Sequence, residues 1–155
     1  MADEELMVGD KIVERVSKEE LIELLNGDLS REYQAIITYI QYAASVHGPY
    51  RGELKNFFLA EIPDETMHAQ FLADKIAALG GVPTVTSAPV LQETDAKKML
   101  QNVAEAERQA RNDYSIRSKQ AEGLGEMGLS SRLDSMVEDE SGHLDETLKI
   151  LRGWD

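Results

Sequence analysis

Asp64-Glu65-Thr66-Met67-His68-Ala69 is the stretch on which the fold turns, because its Glu-x-x-His returns as Glu140-Ser141-Gly142-His143. A spacing of three places Glu and His on one helix face, where both reach a common point. One copy is weak evidence in a chain with Asp+Glu 29 among 155 residues. The second copy lies 75 positions on, and the same offset pairs Glu32 with Glu107, Tyr39 with Tyr114 and Asp64 with Asp139. It also pairs Leu25 with Leu100, Ala35 with Ala110, Leu54 with Leu129 and Ile62 with Val137. The chain therefore reads as a faint internal repeat of two helix hairpins. A purely structural repeat would keep its apolar positions; this one also keeps inward ionisable ones.

Working outward, Ser17 and Glu20 form a capping box that opens a first helix. Leu21, Leu25, Ile36, Tyr39, Ile40 and Ala43 carry its apolar spacing to about Val46, where Gly48-Pro49 stops it. A second helix spans residues 51–79 with Phe58, Ile62, Leu72, Ile76 and Leu79 on one face, and it is read as continuous but bent at Pro63. Residues 80–93 are a long connection, in which Val82–Val90 is the one stretch that competes as a strand. Thr94 or Asp95 caps a third helix to about Glu122; Gly123, Gly125 and Gly128 mark a turn, and Ser130 opens a fourth helix to about Arg152. Short, long and short connections between four helices describe an all-α, antiparallel four-helix bundle with one long crossover between helices two and three. The bundle domain is assigned to 17–155, preceded by an extension at 1–16. In that extension Leu6, Val8, Ile12 and Val13 fit a short helical arm and a partly disordered segment equally well.

Residues equidistant from the turn of an antiparallel hairpin share one height. Glu32 and Glu65 are centred on Gly48-Pro49, and Glu107 and Glu140 on Gly123-Leu124. At about 1.5 Å rise per residue, all four carboxylates lie at one level about 24 Å from the hairpin ends. Glu32, Glu65, His68, Glu107, Glu140 and His143 thus converge in the bundle core. Buried carboxylates at close range repel and are costly to desolvate. Two divalent cations would balance four of them, and an oxygen and imidazole ligand set suits iron or manganese, with zinc as a substitute.

Composition agrees by exclusion. Lys+Arg 16 against Asp+Glu 29 gives a net charge of −13, which argues against nucleic acid and anionic membranes as partners. Cys 0 removes disulfides, thiolate sites and Cys nucleophiles. The acidic start Asp3-Glu4-Glu5 is unlike a signal peptide, and no apolar run approaches the ~18 residues of a membrane span, so a cytoplasmic protein is expected.

On these residues the chain resembles the ferritin-like di-iron carboxylate proteins, and bacterioferritin most, over about residues 17–152. The segments Asp64–Ala69 and Glu138–His143 look like bacterioferritin's ligand-bearing helices. The resemblance implies two iron ions, Glu32 and His68 as terminal ligands of one, Glu107 and His143 of the other, and bridging Glu65 and Glu140. It places Tyr39 beside the site as the residue with a catalytic part. It implies Fe(II) oxidation by O2 or H2O2, with storage of the ferric product in shell-forming relatives. Three positions depart from the pattern. Thr66 stands where bacterioferritin has its haem-ligating Met, which argues against haem; Ala60 replaces a family His, although Asp64 is kept; and the sequence runs out at Asp155 without a short fifth helix. A homo-oligomer, at least a dimer, is therefore expected rather than a 24-subunit shell.

Two other functions fit the same residues: a rubrerythrin-like peroxide reductase with an external electron donor, and a helical bundle whose metal site is structural. Among neighbouring residues, Glu105 competes with Glu107 but fails the offset and is turned about 200° from it on a helix. Tyr114 reads as core filling, and His47 as a cap for the first helix's C-terminus. Glu61 reads as a surface charge, with help in iron passage as the alternative, and Trp154 as a docking contact, between subunits or otherwise.

Overall fold

The computed structural model describes residues 5–154. Its elements are β1 (Leu6–Val8), β2 (Lys11–Val13), α1 (Lys18–Ser45), α2 (Arg51–Ala78), α3 (Ala96–Gly123) and α4 (Met127–Leu151). The helices form the expected bundle: α1 packs on α2, α3 on α4, and α1 also meets α3. Ser17 caps α1 by accepting the Glu20 N–H at 3.1 Å, and Asp95 caps α3 by accepting that of Lys98 at 3.0 Å. α2 runs unbroken through Pro63. α4 begins three residues before Ser130, because that serine serves the core instead of a cap. Its hydroxyl lies 2.9 Å from that of Ser118, which donates to Asp134 at 2.6 Å.

Residues 6–13 are neither a helical arm nor disordered. They form an antiparallel hairpin with Leu6 opposite Val13, Met7 opposite Ile12 and Val8 opposite Lys11. Gly9, at φ 60°, takes the first central position of the two-residue Gly9-Asp10 turn, where a side chain would be strained. The hairpin packs on the end of α3, so closely that a Cβ on Gly123 would lie 2.9 Å from a Leu6 methyl. Residues 1–4, the acidic start of the extension, lie outside the described residues.

No part of Val82–Val90 is a strand. The crossover is instead strapped to a polar stripe of α1 spaced by fours: Asn26 donates to Val82 O at 3.1 Å, Ser30 O accepts from Ala88 N at 3.0 Å, and Gln34 donates to Pro89 O. Eight residues on, Tyr42 donates to Leu91 O at 2.8 Å. These bonds satisfy crossover backbone groups that a sheet would otherwise pair.

Two apolar clusters fill the bundle, one on either side of the level of the carboxylates. Leu21, Leu25, Leu29, Leu72, Ile76, Leu129, Leu133 and Met136 pack towards the α3–α4 turn. Tyr42, Leu54, Phe58, Met99 and Leu100 pack towards the α1–α2 turn. Full burial of a side chain such as Phe58 contributes roughly 2–3 kcal/mol. Ile40, expected inside, is 50% exposed; Tyr42 takes the inward place near it. The last carbonyls of α1 are served by Arg51, which donates to Ala43 O at 3.3 Å and to Val46 O, and His47 is exposed. Trp154 docks within the chain, its ring 5.3 Å from that of Tyr50.

Candidate metal centre

All six side chains singled out by the repeat meet at mid-height. Glu32 comes from α1, Glu65 and His68 from α2, Glu107 from α3, and Glu140 and His143 from α4. Glu32, Glu65, His68, Glu107 and Glu140 are each 3% exposed or less. The rival Glu105 points outward and pairs with Arg108 at 2.7 Å.

Both histidines turn Nδ1 inward. His68 Nδ1 lies 3.4 Å from Glu140 Oε1 and 3.6 Å from Glu32 Oε1. His143 Nδ1 lies 3.3 Å from Glu65 Oε1 and 3.9 Å from Glu140 Oε2. Glu140 therefore faces both imidazoles. The outer nitrogens are held by aspartates of the opposite hairpin: His68 Nε2 donates to Asp139 Oδ2 at 2.9 Å, and His143 Nε2 to Asp64 Oδ2 at 3.0 Å. These bonds keep the proton on Nε2 and leave Nδ1 as the ligand atom. The tyrosines cross in the same way. Tyr39 donates to Glu107 Oε1 at 3.1 Å, and Tyr114 donates to Glu32 Oε1.

Glu61 is not a surface charge. It is nearly buried, and its Oε2 lies 3.0 Å from His143 Nε2. Ligand atoms of Glu32, Glu65, His68 and Glu140 lie within 4.8 Å of one another, and those of Glu61, Glu107 and His143 do likewise.

The site's electrostatics show what it lacks. Burial raises the Glu107 carboxyl to about 8, and Thr147 and Tyr39 hydrogen bonds only partly offset this. Burial, then the neighbouring Glu32 and Glu140, raise Glu65 well above the usual range. Burial alone would lower the histidines. Contacts with Glu140, Glu32 and Asp139 override it at His68, raising it to about 10, and contacts with Glu140, Glu61 and Asp64 raise His143 to about 9. Glu140, next to both imidazolium rings, falls to about 2 despite its burial. Protons thus do the balancing that cations would do. Even so, Glu32 Oε2, Glu61 Oε2, Glu65 Oε1, His68 Nδ1, Glu140 Oε1 and His143 Nδ1 are buried without a hydrogen-bond partner. Each such atom costs about 1–3 kcal/mol. Inward, unpaired oxygen and imidazole donors at one level fit two divalent cations.

Residues 22–154 match the ferritin-like domain family. A ferritin-like diiron-carboxylate protein from Bacillus anthracis is 43% identical, with a TM-score of 0.85 over 86% of this chain and 96% of that one. The chain belongs to the ferritin-like family. Bacterioferritin from Desulfovibrio desulfuricans, solved with its diiron site in different catalytic states, is 26% identical with a TM-score of 0.79 over 87% and 80%. A Dps protein from Bacillus brevis shares the fold at 17% identity, TM-score 0.81, over 86% and 96%. No functionally curated protein matches the chain in sequence.

Within this ferritin-like frame three features escape the reading of the sequence. Asp64 and Asp139 are legible as a repeated pair beside Glu65 and Glu140, though the repeat does not say that they serve the opposite histidines. Glu61 and Thr147 break the offset, their counterparts being Met136 and Leu72, so no repeat argument finds them. An open cavity of about 340 Å³ between α1 and α3 reaches Glu32 and Glu107 past walls that include Ala35, Val103, Ala106 and Ala110. On the other side the aspartates that hold the histidines are about half exposed.

Proposed function

We propose that the chain is a di-iron oxidoreductase that oxidises Fe(II) with O2 or H2O2. The observation that carries this reading is the set of buried, unpaired donor atoms contributed by all four helices at one height. Glu32 and His68 serve one metal position, Glu107 and His143 the other, and Glu65 and Glu140 lie between. Bound iron would supply the redox chemistry: two Fe(II) would become two Fe(III), their two electrons with two protons from water reducing O2 to H2O2, or H2O2 to two water molecules.

The chain's own groups prepare that chemistry. Asp139 and Asp64 orient the imidazoles, and Tyr114 and Tyr39 orient the terminal carboxylates. Burial, with the nearby Glu107 and Glu65, raises the Tyr39 phenol well above its ordinary range, so it keeps its proton and acts as a donor to Glu107. His68 and His143 give up their Nδ1 protons on loading. The protein is further proposed to act in the cytoplasm as a homo-oligomer, in keeping with its acidic composition and with Ile37 and Ile40 exposed one turn apart on α1.

Aerobic Fe(II) titration, with remaining Fe(II) measured by a chromogenic chelator, tests the proposal. Rapid oxidation should saturate at about two irons per chain and disappear in Glu65→Ala and Glu140→Ala. Metal binding without any oxidation would refute it and leave a structural metal site. Faster oxidation by H2O2 than by O2 would place the activity with peroxide reduction.

A further inference from the structure

The repeat relates the two ends of the cavity between α1 and α3, and the ends differ in charge. The helices run antiparallel across it: Arg31 meets Asp113 at 3.2 Å towards the α3–α4 turn, and Asn102 meets Tyr42 at 3.1 Å towards the other turn. Asp28, Arg31 and Asp113 line the first end, where Arg31 also lies 2.8 Å from Asp28. Their repeat counterparts, Val103, Ala106 and Thr38, line the second end. Each charge is exchanged for a small neutral side chain, while Ala35 and Ala110, one turn after Glu32 and Glu107, are small in both halves. Glu105, at the rim of the neutral end, is 70% exposed and pairs with Arg108. Tyr42 closes that end; its hydroxyl donates to Leu91 O at 2.8 Å and accepts from Asn102. Thr38 donates to Gln34 O at 2.6 Å. Both hydroxyl protons are thus committed within the protein, and what Thr38 still offers is an acceptor oxygen.

We propose that the neutral end binds a small uncharged organic molecule bearing one hydroxyl group, of the class of a single-ring phenol, beside Glu32 and Glu107. Size sets the first limit. An apolar cavity of about 150 Å³ holds a benzene ring. The whole space is about 340 Å³, so its neutral half takes one ring and little more. Charge sets the second. An anion meets Glu32 and Glu107 at the floor and Glu105 at the rim, and an organic cation loses its hydration against Ala35 and Val103. Hydrogen bonding sets the third, since the Thr38 oxygen accepts and therefore favours a ligand that donates. The site goes beyond the iron chemistry proposed above, because Ala35, Thr38 and Val103 need no ion to form its walls.

Calorimetric titration of p-cresol into the whole chain, with and without saturating Zn(II), provides the test. One p-cresol per chain should bind in both forms, with a dissociation constant below about 1 mM. Toluene, which lacks the hydroxyl, should bind about five- to tenfold more weakly, and p-toluate at least tenfold more weakly. Thr38→Val keeps the shape without the acceptor; it should weaken p-cresol about five- to tenfold and leave toluene unchanged. Ala35→Leu fills the neutral end and should weaken both at least tenfold. Its mirror substitution in the charged end, Ala110→Leu, should leave p-cresol within about twofold. Zinc uptake and melting temperature report the fold of each variant, and Thr38→Val decides alone where Ala35→Leu does not fold. No saturable p-cresol binding below about 10 mM, binding only in the presence of zinc, or equal losses in Ala35→Leu and Ala110→Leu would overturn the site. None of these results touches the iron reading, which aerobic Fe(II) titration tests separately.

Discussion

Loading the centre with a redox-silent cation should expel an unusual number of protons. At pH 7, His68 at about 10, His143 at about 9 and Glu107 at about 8 are each almost fully protonated before metal arrives. Glu65, raised well above its ordinary range, adds up to one more. Since ligands bind metal in their deprotonated form, two Zn(II) ions should release about three to four protons per chain. With ordinary side-chain values the same six residues would carry only about half a proton, all of it on the histidines. The assay is a pH-stat titration of metal-free protein in unbuffered salt, counting base per zinc bound. At pH 9.5 only His68 still holds most of its proton and His143 a fraction, so the release should fall to about one proton, plus any remaining on Glu65. The apparent affinity should climb steeply between pH 6 and pH 8. Release of less than about one proton at pH 7 would refute the electrostatic account of the site, even if two zinc ions bound.

The same groups govern the stability of the metal-free protein. Glu107, His68 and His143 have raised values in the folded state, so their contribution is fully present below the ordinary values and is lost as pH rises from 4.5 to about 8 for Glu107, and from 6.5 to about 9 and about 10 for His143 and His68. Glu140 is lowered to about 2 and works the other way, losing its contribution as pH falls below the ordinary carboxylate range. Thermal melts should therefore place the optimum near pH 4–5, with Glu107 alone costing on the order of 5 kcal/mol by pH 9; saturating zinc should reverse that alkaline loss. Separately, Arg117 and Arg31 each donate to buried Asp28 at 2.8 Å, and burial still raises the Asp28 carboxyl despite both partners. Because Arg31 still pairs with Asp28, Arg117→Met should cost about 2–3 kcal/mol in chemical denaturation, short of the loss for a wholly uncompensated charge, and adding Asp28→Val, the kind of residue found at the repeat position Val103, should recover most of it.

The architecture and the convergence of the six side chains were legible because they obey a symmetry. A fixed offset and two turn midpoints, Gly48-Pro49 and Gly123-Leu124, place carboxylates at one height without any knowledge of packing. What breaks the symmetry was not legible. Glu61 has Met136 as its counterpart and Thr147 has Leu72, so each looks like an ordinary residue of a Glu-rich or polar helix until its neighbours are seen. The hairpin at 6–13 escaped for another reason. Strands of three residues carry too little alternation to outweigh a helical reading, and the informative signal was the Gly9-Asp10 turn between them. His47 and Arg51 compete for the same carbonyls, and only the geometry of the α1–α2 turn decides for the longer side chain.

The crossed hydrogen bonds have a mechanical consequence. Tyr114 and Asp139 of the second hairpin hold Glu32 and His68 of the first, and Tyr39 and Asp64 hold Glu107 and His143 of the second. The centre is thus a seam that belongs to neither hairpin. Its adhesive is the positive charge lodged between the carboxylates: protons before loading, cations after. A proton ties one donor to one acceptor, whereas a cation ties ligands from three or four helices at once. Loading therefore acts as a rivet at mid-height. The motion it suppresses most is the parting of the two hairpins, a breathing mode that native-state hydrogen exchange along their shared faces would register well before any global unfolding.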